Sequence, residues 1–291
     1  MYIRQIIPRG LENAVAIDLI TKHIQRQLKE RLNSLRWDQA RMPVGEALPE
    51  TVVVLEPTNQ IKGIHTILRD HTTSRDDFIF YAERLSTLVI ERSLAELPFD
   101  NYTVTTPVNV EYHGKKLTKQ ICGVSILRAG GTMEVGLSRV CQDVRIGKLL
   151  IQTDPSSGEP QLHYCKLPLN VSELYVLLMV CIRLKLNRPA TLLLIYVIWS
   201  FSFANYADAT VGTGAAGLMA IRVLRDHDVP EDHIIFLTFL AAPQGIHVIA
   251  NAFPKVRIVT SMVDPILSPD TLWIEPGIGN FGDRYYGTEA D

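Results

Sequence analysis

The chain has 291 residues, with 29 Lys and Arg against 31 Asp and Glu, and 47% of its residues are apolar. That length suits one large domain, or one domain with attachments. A net charge near zero argues against a nucleic-acid binder relying on a basic surface, and 21% charged residues beside this apolar content exclude a disordered chain.

Met1-Tyr2-Ile3-Arg4 runs into Pro8-Arg9-Gly10 without an apolar secretory core, so the expected compartment is the cytoplasm. From Asn13 to Leu35, Ile17, Ile20, Ile24, Leu28 and Leu32 recur at helical steps. A polar, Pro-interrupted linker follows, with an ordered domain expected from residue 60 onward. Ser74 and Asp77 form a capping pair ahead of a second helix of about 20 residues, striped by Phe78, Tyr81, Leu85, Leu88 and Val89.

After Pro107 the pattern changes. Ile121–Leu127, Lys148–Gln152, Leu174–Met179, Ile234–Leu240 and Val256–Met262 read as buried strands. Between them, Met133, Leu137 and Val140 mark a helix, as do Ala215–Arg225 and Gln244–Phe253. Strands alternating with helices predict an α/β fold with a largely parallel sheet. Ligands in such sheets bind where loops leave the carboxyl ends of strands. The cysteines Cys122, Cys141, Cys165 and Cys181 lack metal-ligand or disulfide spacing and read as buried free thiols. The apolar run from Ala190 to Ala204 is interrupted by Ser200 and Ser202 and falls short of the roughly 20 residues a membrane span needs.

Three segments carry candidate chemistry. Asp208-Ala209-Thr210-Val211-Gly212-Thr213-Gly214-Ala215-Ala216 leads into a helix. Its small residues let the backbone approach an anion, and the first helical amides point at it. Asp208 is placed to hold ribose hydroxyls or magnesium. The pattern GxxxxGKS/T occurs nowhere, so this chain is not read as a competent kinase. Arg128, with Ala129-Gly130-Gly131, ends a strand where a forked donor suits a pyrophosphate. The segment Trp273–Thr288 reads as a structured Gly-rich loop, its backbone amides and carbonyls suited to the edge of a planar base and Phe281 or Tyr285 to its face. Each segment also has an ordinary reading, as a capped turn, a surface salt-bridge partner and a terminal loop.

In this order the segments resemble the uracil phosphoribosyltransferase family, whose pattern runs I-L-R-A-G, D-P-x-L-A-T-G-G and I-P-G-I/L-G-D-x-G-D with a final F-G-T. Ala241-Ala242-Pro243-Gln244-Gly245 is similar to its A-A-P-E-G turn. More narrowly, the chain resembles the C-terminal part of uridine–cytidine kinase-like proteins, with residues 1–35 similar to the end of their kinase domain, 36–59 a linker and 60–291 the transferase-like domain. The resemblance implies a type I phosphoribosyltransferase fold and the reaction of uracil with phosphoribosyl pyrophosphate (PRPP) to give UMP and pyrophosphate. It implies Arg128 and Asp208 as catalytic residues. Arg128, Asp208, Ala209, Thr210, Val211, Gly212, Thr213, Gly214, Ala215, Ala216 and Asn280 would bind PRPP. Ile274, Gly279, Asn280 and Phe281 would bind uracil. Magnesium would arrive with PRPP, no side-chain cluster forming a metal site by itself, and a homo-oligomer is expected without nucleic acid or membrane.

Four departures stand against that pattern. Asn280 replaces an Asp, Gln152-Thr153 stand where Tyr-Arg is expected, and Ala215-Ala216 replace a Gly and a hydroxyl residue. Finally, Val180–Ala207 separates a strand from the phosphate loop with 28 residues, 19 of them apolar and none Asp, Glu or Gly. That segment reads either as a foreign insertion, from a retained intron or a gene-model error, or as a replacement in which Leu192–Ile198 delivers Asp208. The departures keep a second reading open, a non-catalytic nucleotide-binding or regulatory domain of a kinase-like protein.

Overall fold

A computed structural model describes residues 47–117, 119–153, 160–180, 210–268 and 273–288. Residues 42–291 belong to one compact unit. The expected helix at Asn13–Leu35, the first candidate residues Asp208 and Ala209, and the apolar run at Ala190–Ala204 lie outside the described residues.

The first strand, β1 (Val52–Val54), is three β-branched residues and pairs in parallel with Ile258–Thr260. The linker expected at 36–59 therefore ends earlier, because this valine run finds an open sheet edge. Thr58 then caps helix α1 (Asn59–Arg69), its hydroxyl accepting from the Ile61 amide. Helix α2 (Arg75–Leu94) starts at the expected capping pair, Ser74 Oγ accepting from the Asp77 amide and donating to its carboxylate. A hairpin follows, β2 (Phe99–Thr105) and β3 (Glu111–Leu117), with every residue of β2 exposed.

The main sheet continues with β4 (Ile121–Ile126), helix α3 (Thr132–Val140), β5 (Arg145–Thr153), β6 (Pro160–Lys166), β7 (Tyr175–Met179), β8 (Thr210–Val211) and helix α4 (Ala215–Asp226). Strand β9 (Ile234–Ala241), helix α5 (Pro243–Ala252) and β10 (Arg257–Val263) complete it. The sheet order is β1-β10-β9-β7-β4-β5-β6, with β8 pairing β9 off this path, and all pairs are parallel except β5 with β6. Central strands buried on both faces account for the near-continuous apolar runs, as in β9, where all eight residues are buried and only Thr238 is polar. Ile64, Leu68, Phe78, Leu85 and Val89 of α1 and α2 pack with Met133 and Leu137 of α3 and with sheet residues Leu237, Phe239 and Val259.

The sheet register explains the apolar segment. Met179 of β7 lies opposite Leu237 of β9, and Thr210 of β8 opposite Leu240 of the same strand. Two seats separate those positions, whereas the chain supplies residues 180 to 209. Val180 takes the first seat, its amide donating to Leu237 O at 3.0 Å. Removing Val180–Ala207 would leave Asp208 and Ala209 to fill both, so β7 and β8 are two parts of one interrupted strand. The place of a replacement strand between β4 and β9 is held by β7 itself. The reading of Leu192–Ile198 as a substitute strand delivering Asp208 falls outside the described residues.

Trp273–Thr288 is more regular than a loop. Strand β12 (Ile274–Glu275) pairs with β11 (Ile266–Leu267), and helix α6 (Phe281–Tyr286) follows. Asn280 caps α6 by accepting from the Asp283 amide, and Gly287 ends it at φ +67°. Cys122, Cys141 and Cys165 are free thiols, but only Cys122 is fully buried. Among the described residues no helix is long and apolar enough to cross a membrane.

One core group ties α1 to the sheet. His65, 2% exposed, donates from Nε2 to Ser261 Oγ, which donates to Phe239 O. Burial, aided by the nearby Arg69 guanidinium, lowers the His65 pKa to about 4. The unfolded chain, with histidine near 6.5, binds the extra proton first as pH falls, so stability decreases from pH 7 toward pH 4. The expected contribution of this residue is a loss of about 2 kcal/mol between pH 8 and pH 5. Thermal melts across that range should show a shallower decline for His65→Gln than for the native chain; parallel declines would assign the pH dependence elsewhere.

Candidate functional site

Because β4, β7, β9 and β10 are parallel, the loops at their carboxyl ends emerge along one edge of the sheet. Arg128 follows β4 and is exposed at the start of a tight turn, Ala129–Gly131. The turn is seated against β7, since a Cβ on Gly130 would lie 2.7 Å from Met179 O. Gly131 N donates to Arg128 O, and the Thr132 hydroxyl donates to Ala129 O. Behind the turn, Ser125 donates to Glu134, which also pairs with Lys148 at 3.4 Å.

The Gly212–Gly214 loop leaves β8 alongside β9. Gly214 has φ +79°, and a Cβ there would meet Gly245 O at 2.8 Å; one on Gly245 would meet Gly212 O at 2.4 Å. Loop and Ala241–Gly245 turn thus interlock at positions where only glycine fits. Ala215 N donates to Thr213 Oγ1 at 3.4 Å. Helix α4 begins directly behind, and its first-turn amides lack intrahelical acceptors, the arrangement that receives phosphate. Ala215 and Ala216 stand in this first turn, and Val211 is buried beneath the loop.

The C-terminal segment reaches the same edge through Tyr286. Its ring centroid lies 5.5 Å from the Arg128 guanidinium carbon, and its hydroxyl donates to Arg128 O at 3.2 Å. Gly279 (φ +71°) and Asn280 line a cleft of about 430 Å3 together with Arg69, Arg75 and Arg284. Ile274 is buried in its short strand. The structure corrects the expectation for Phe281. Its side chain is fully buried, with ring centroids 5.2 Å from Phe78, 5.4 Å from Phe239 and 5.8 Å from Tyr285. Turned into the core, it leaves only its backbone for a ligand. Asn280 is also engaged, its side-chain amide donating to the Asp283 carboxylate.

Sequence reasoning missed Arg69, Asp264 and Tyr286. Asp264 directly follows β10, and a carboxylate at a strand's carboxyl end was a usable signal. Arg69 gave none, because its role depends on contacts almost 200 residues away. Among the described residues no three His, Cys, Asp or Glu side chains stand together as a metal site.

The profile of the family described as uracil phosphoribosyltransferase matches residues 54–182 and 204–288. The unmatched stretch between them falls inside Val180–Ala207. Uracil phosphoribosyltransferase of Dictyostelium discoideum is 40% identical over 83% of this chain and 98% of its own length. Uridine-cytidine kinase-like 1 of Mus musculus is 50% identical over 98% of this chain, and uridine-cytidine kinase A of Dictyostelium discoideum 42% identical over 97%. This chain spans about half the length of those kinase-named relatives, 47% and 50% respectively. The structure of the AQ2163 protein from Aquifex aeolicus superposes with a TM-score of 0.64 at 23% identity, covering 82% of this chain and 100% of that one, a likeness of fold. The chain belongs to the uracil phosphoribosyltransferase family.

Proposed function

We propose that this chain transfers the ribose phosphate of PRPP to uracil, giving UMP and pyrophosphate in pyrimidine salvage. The observation that carries this reading is the placement of the Arg128 turn and the Gly212–Gly214 loop at the ends of β4 and β8. A ligand with pyrophosphate at one end and a 5′-phosphate at the other would reach both. The α4 amides and Thr213 would hold the phosphate, and Arg128 the pyrophosphate. The C1′–oxygen bond breaks with its electron pair leaving on pyrophosphate, N1 of uracil bonds to C1′, and the N1 proton is released. Positive charge develops on the ribose and negative charge on the departing group, so Arg128 and oriented backbone amides supply electrostatic stabilisation. Magnesium bound to PRPP would neutralise part of the pyrophosphate charge. Main-chain groups around Ile274, Gly279 and Phe281 would orient the base, since positioning is the other large contribution.

A second reading, a non-catalytic nucleotide-binding or regulatory domain, is favoured by Asn280. Its amide is tied to Asp283 and carries no charge to place against a metal or the base. UMP formation from uracil and PRPP decides between them.

A further inference from the structure

We propose that Arg69 and Asp264 are positioning residues for the base-reading loop, fixing both backbone groups of Gly277 so that Ile274 and Gly279 hold their places. The inference rests on the uracil reading above. Asp264 leaves the carboxyl end of β10, is 3% exposed, and its amide donates to Ala241 O of β9 at 2.9 Å. Its carboxylate accepts two bonds from Arg69, Nη2 to Oδ1 at 2.8 Å and Nη1 to Oδ2 at 2.7 Å. Oδ2 also accepts from the Gly277 amide at 2.8 Å, while Arg69 Nη1 donates to Gly277 O at 2.9 Å. Arg69 Nη2 also donates to Met262 Sδ at 3.1 Å. One residue thus has its N–H on the carboxylate and its C=O on the guanidinium.

Gly277 lies between Ile274 and Gly279, two of the four residues expected to read uracil. It has φ +64°, and a Cβ would lie 2.1 Å from Ile274 O, so the turn is open to glycine alone. A buried ion pair contributes little net stability compared with apolar packing, because desolvation offsets the attraction. Its distinctive contribution is geometric, since a planar fork and a carboxylate meet in one orientation. Here that orientation is passed to a loop whose backbone, by the proposed function, touches the base. Neither side chain is assigned to the reacting atoms.

The test uses the full chain and its Asp264→Asn and Arg69→Lys variants, with uracil and PRPP affinities measured separately by calorimetry. Both variants should weaken uracil binding by tenfold or more and leave PRPP affinity within twofold. A role in general stability alone would move both ligands together. Hydrogen exchange should show faster amide exchange confined to residues 277–280 in both variants. Native-like uracil affinity with unchanged exchange at 277–280 in either folded variant would overturn the proposal. If the native chain binds PRPP but no uracil, the functional reading fails, and the exchange comparison alone then confirms or overturns the clamp.

Discussion

Deleting Val180–Ala207 should yield a soluble protein that melts at a higher temperature than the full chain. The register makes the argument, because Met179 opposite Leu237 and Thr210 opposite Leu240 leave two seats that Asp208 and Ala209 fill after the deletion. The shortened strand then runs along β9 without a break, and Asp208 replaces Val180 in the first seat. Closing so long a connection over a gap of two residues costs on the order of 3 kcal/mol in chain entropy, which the deletion removes. At roughly 2–4 °C per kcal/mol, the melting temperature should rise by about 6–12 °C. The 18 apolar residues that follow Val180 in the segment add a second reason, since left outside a core they would form a patch larger than soluble monomers usually expose. Thermal melts of the two proteins side by side check this. An insoluble shortened protein, or one melting below the full chain, would show that the segment belongs to the core.

Phe281→Ala should cost about 3–5 kcal/mol of stability, the usual loss when a fully buried aromatic side chain is truncated. Phe281 is completely enclosed among Phe78, Phe239 and Tyr285, so the substitution leaves a cavity between α2, the sheet and α6. The loss extends to the candidate site, because α6 carries Tyr286 against Arg128 and is capped by Asn280. Phe281→Leu, which keeps most of the volume, should cost much less. Urea denaturation of the three proteins measures the difference. A stability change under 1 kcal/mol with a large loss of uracil affinity would instead place the ring on the base.

The contrast between these cases shows what the residues disclosed. The buried parallel strands were readable because burial on both faces leaves near-continuous apolar runs, as in Ile234–Ala241, where Thr238 is the one polar residue. Helix α2 was readable from its Ser74–Asp77 cap. Helix α1 was overlooked although Ile61, Ile64 and Leu68 form a stripe, because Pro57 and the preceding polar stretch dominated the reading. Phe281 was misjudged because four nearby glycines suggested an open loop. Asn280 with Asp283 is a helix start, and Phe281 with Tyr285 is one turn of its buried face. The motif positions of Arg128 and Gly212–Gly214 were legible as spacing. The Arg69–Asp264–Gly277 arrangement was not, since no local pattern joins three residues that only tertiary packing brings together.

Uracil, PRPP and magnesium incubated with the full chain, with products resolved by chromatography, form the most direct test of the proposed activity. The expected result is UMP and pyrophosphate in equal amounts, lost when Arg128 is replaced by Ala. Asn280→Asp, which returns a negative charge beside the candidate ribose site, should raise the rate. Absence of UMP from both the native chain and Asn280→Asp, in protein that still binds PRPP, would contradict the transferase assignment and leave a nucleotide-binding domain.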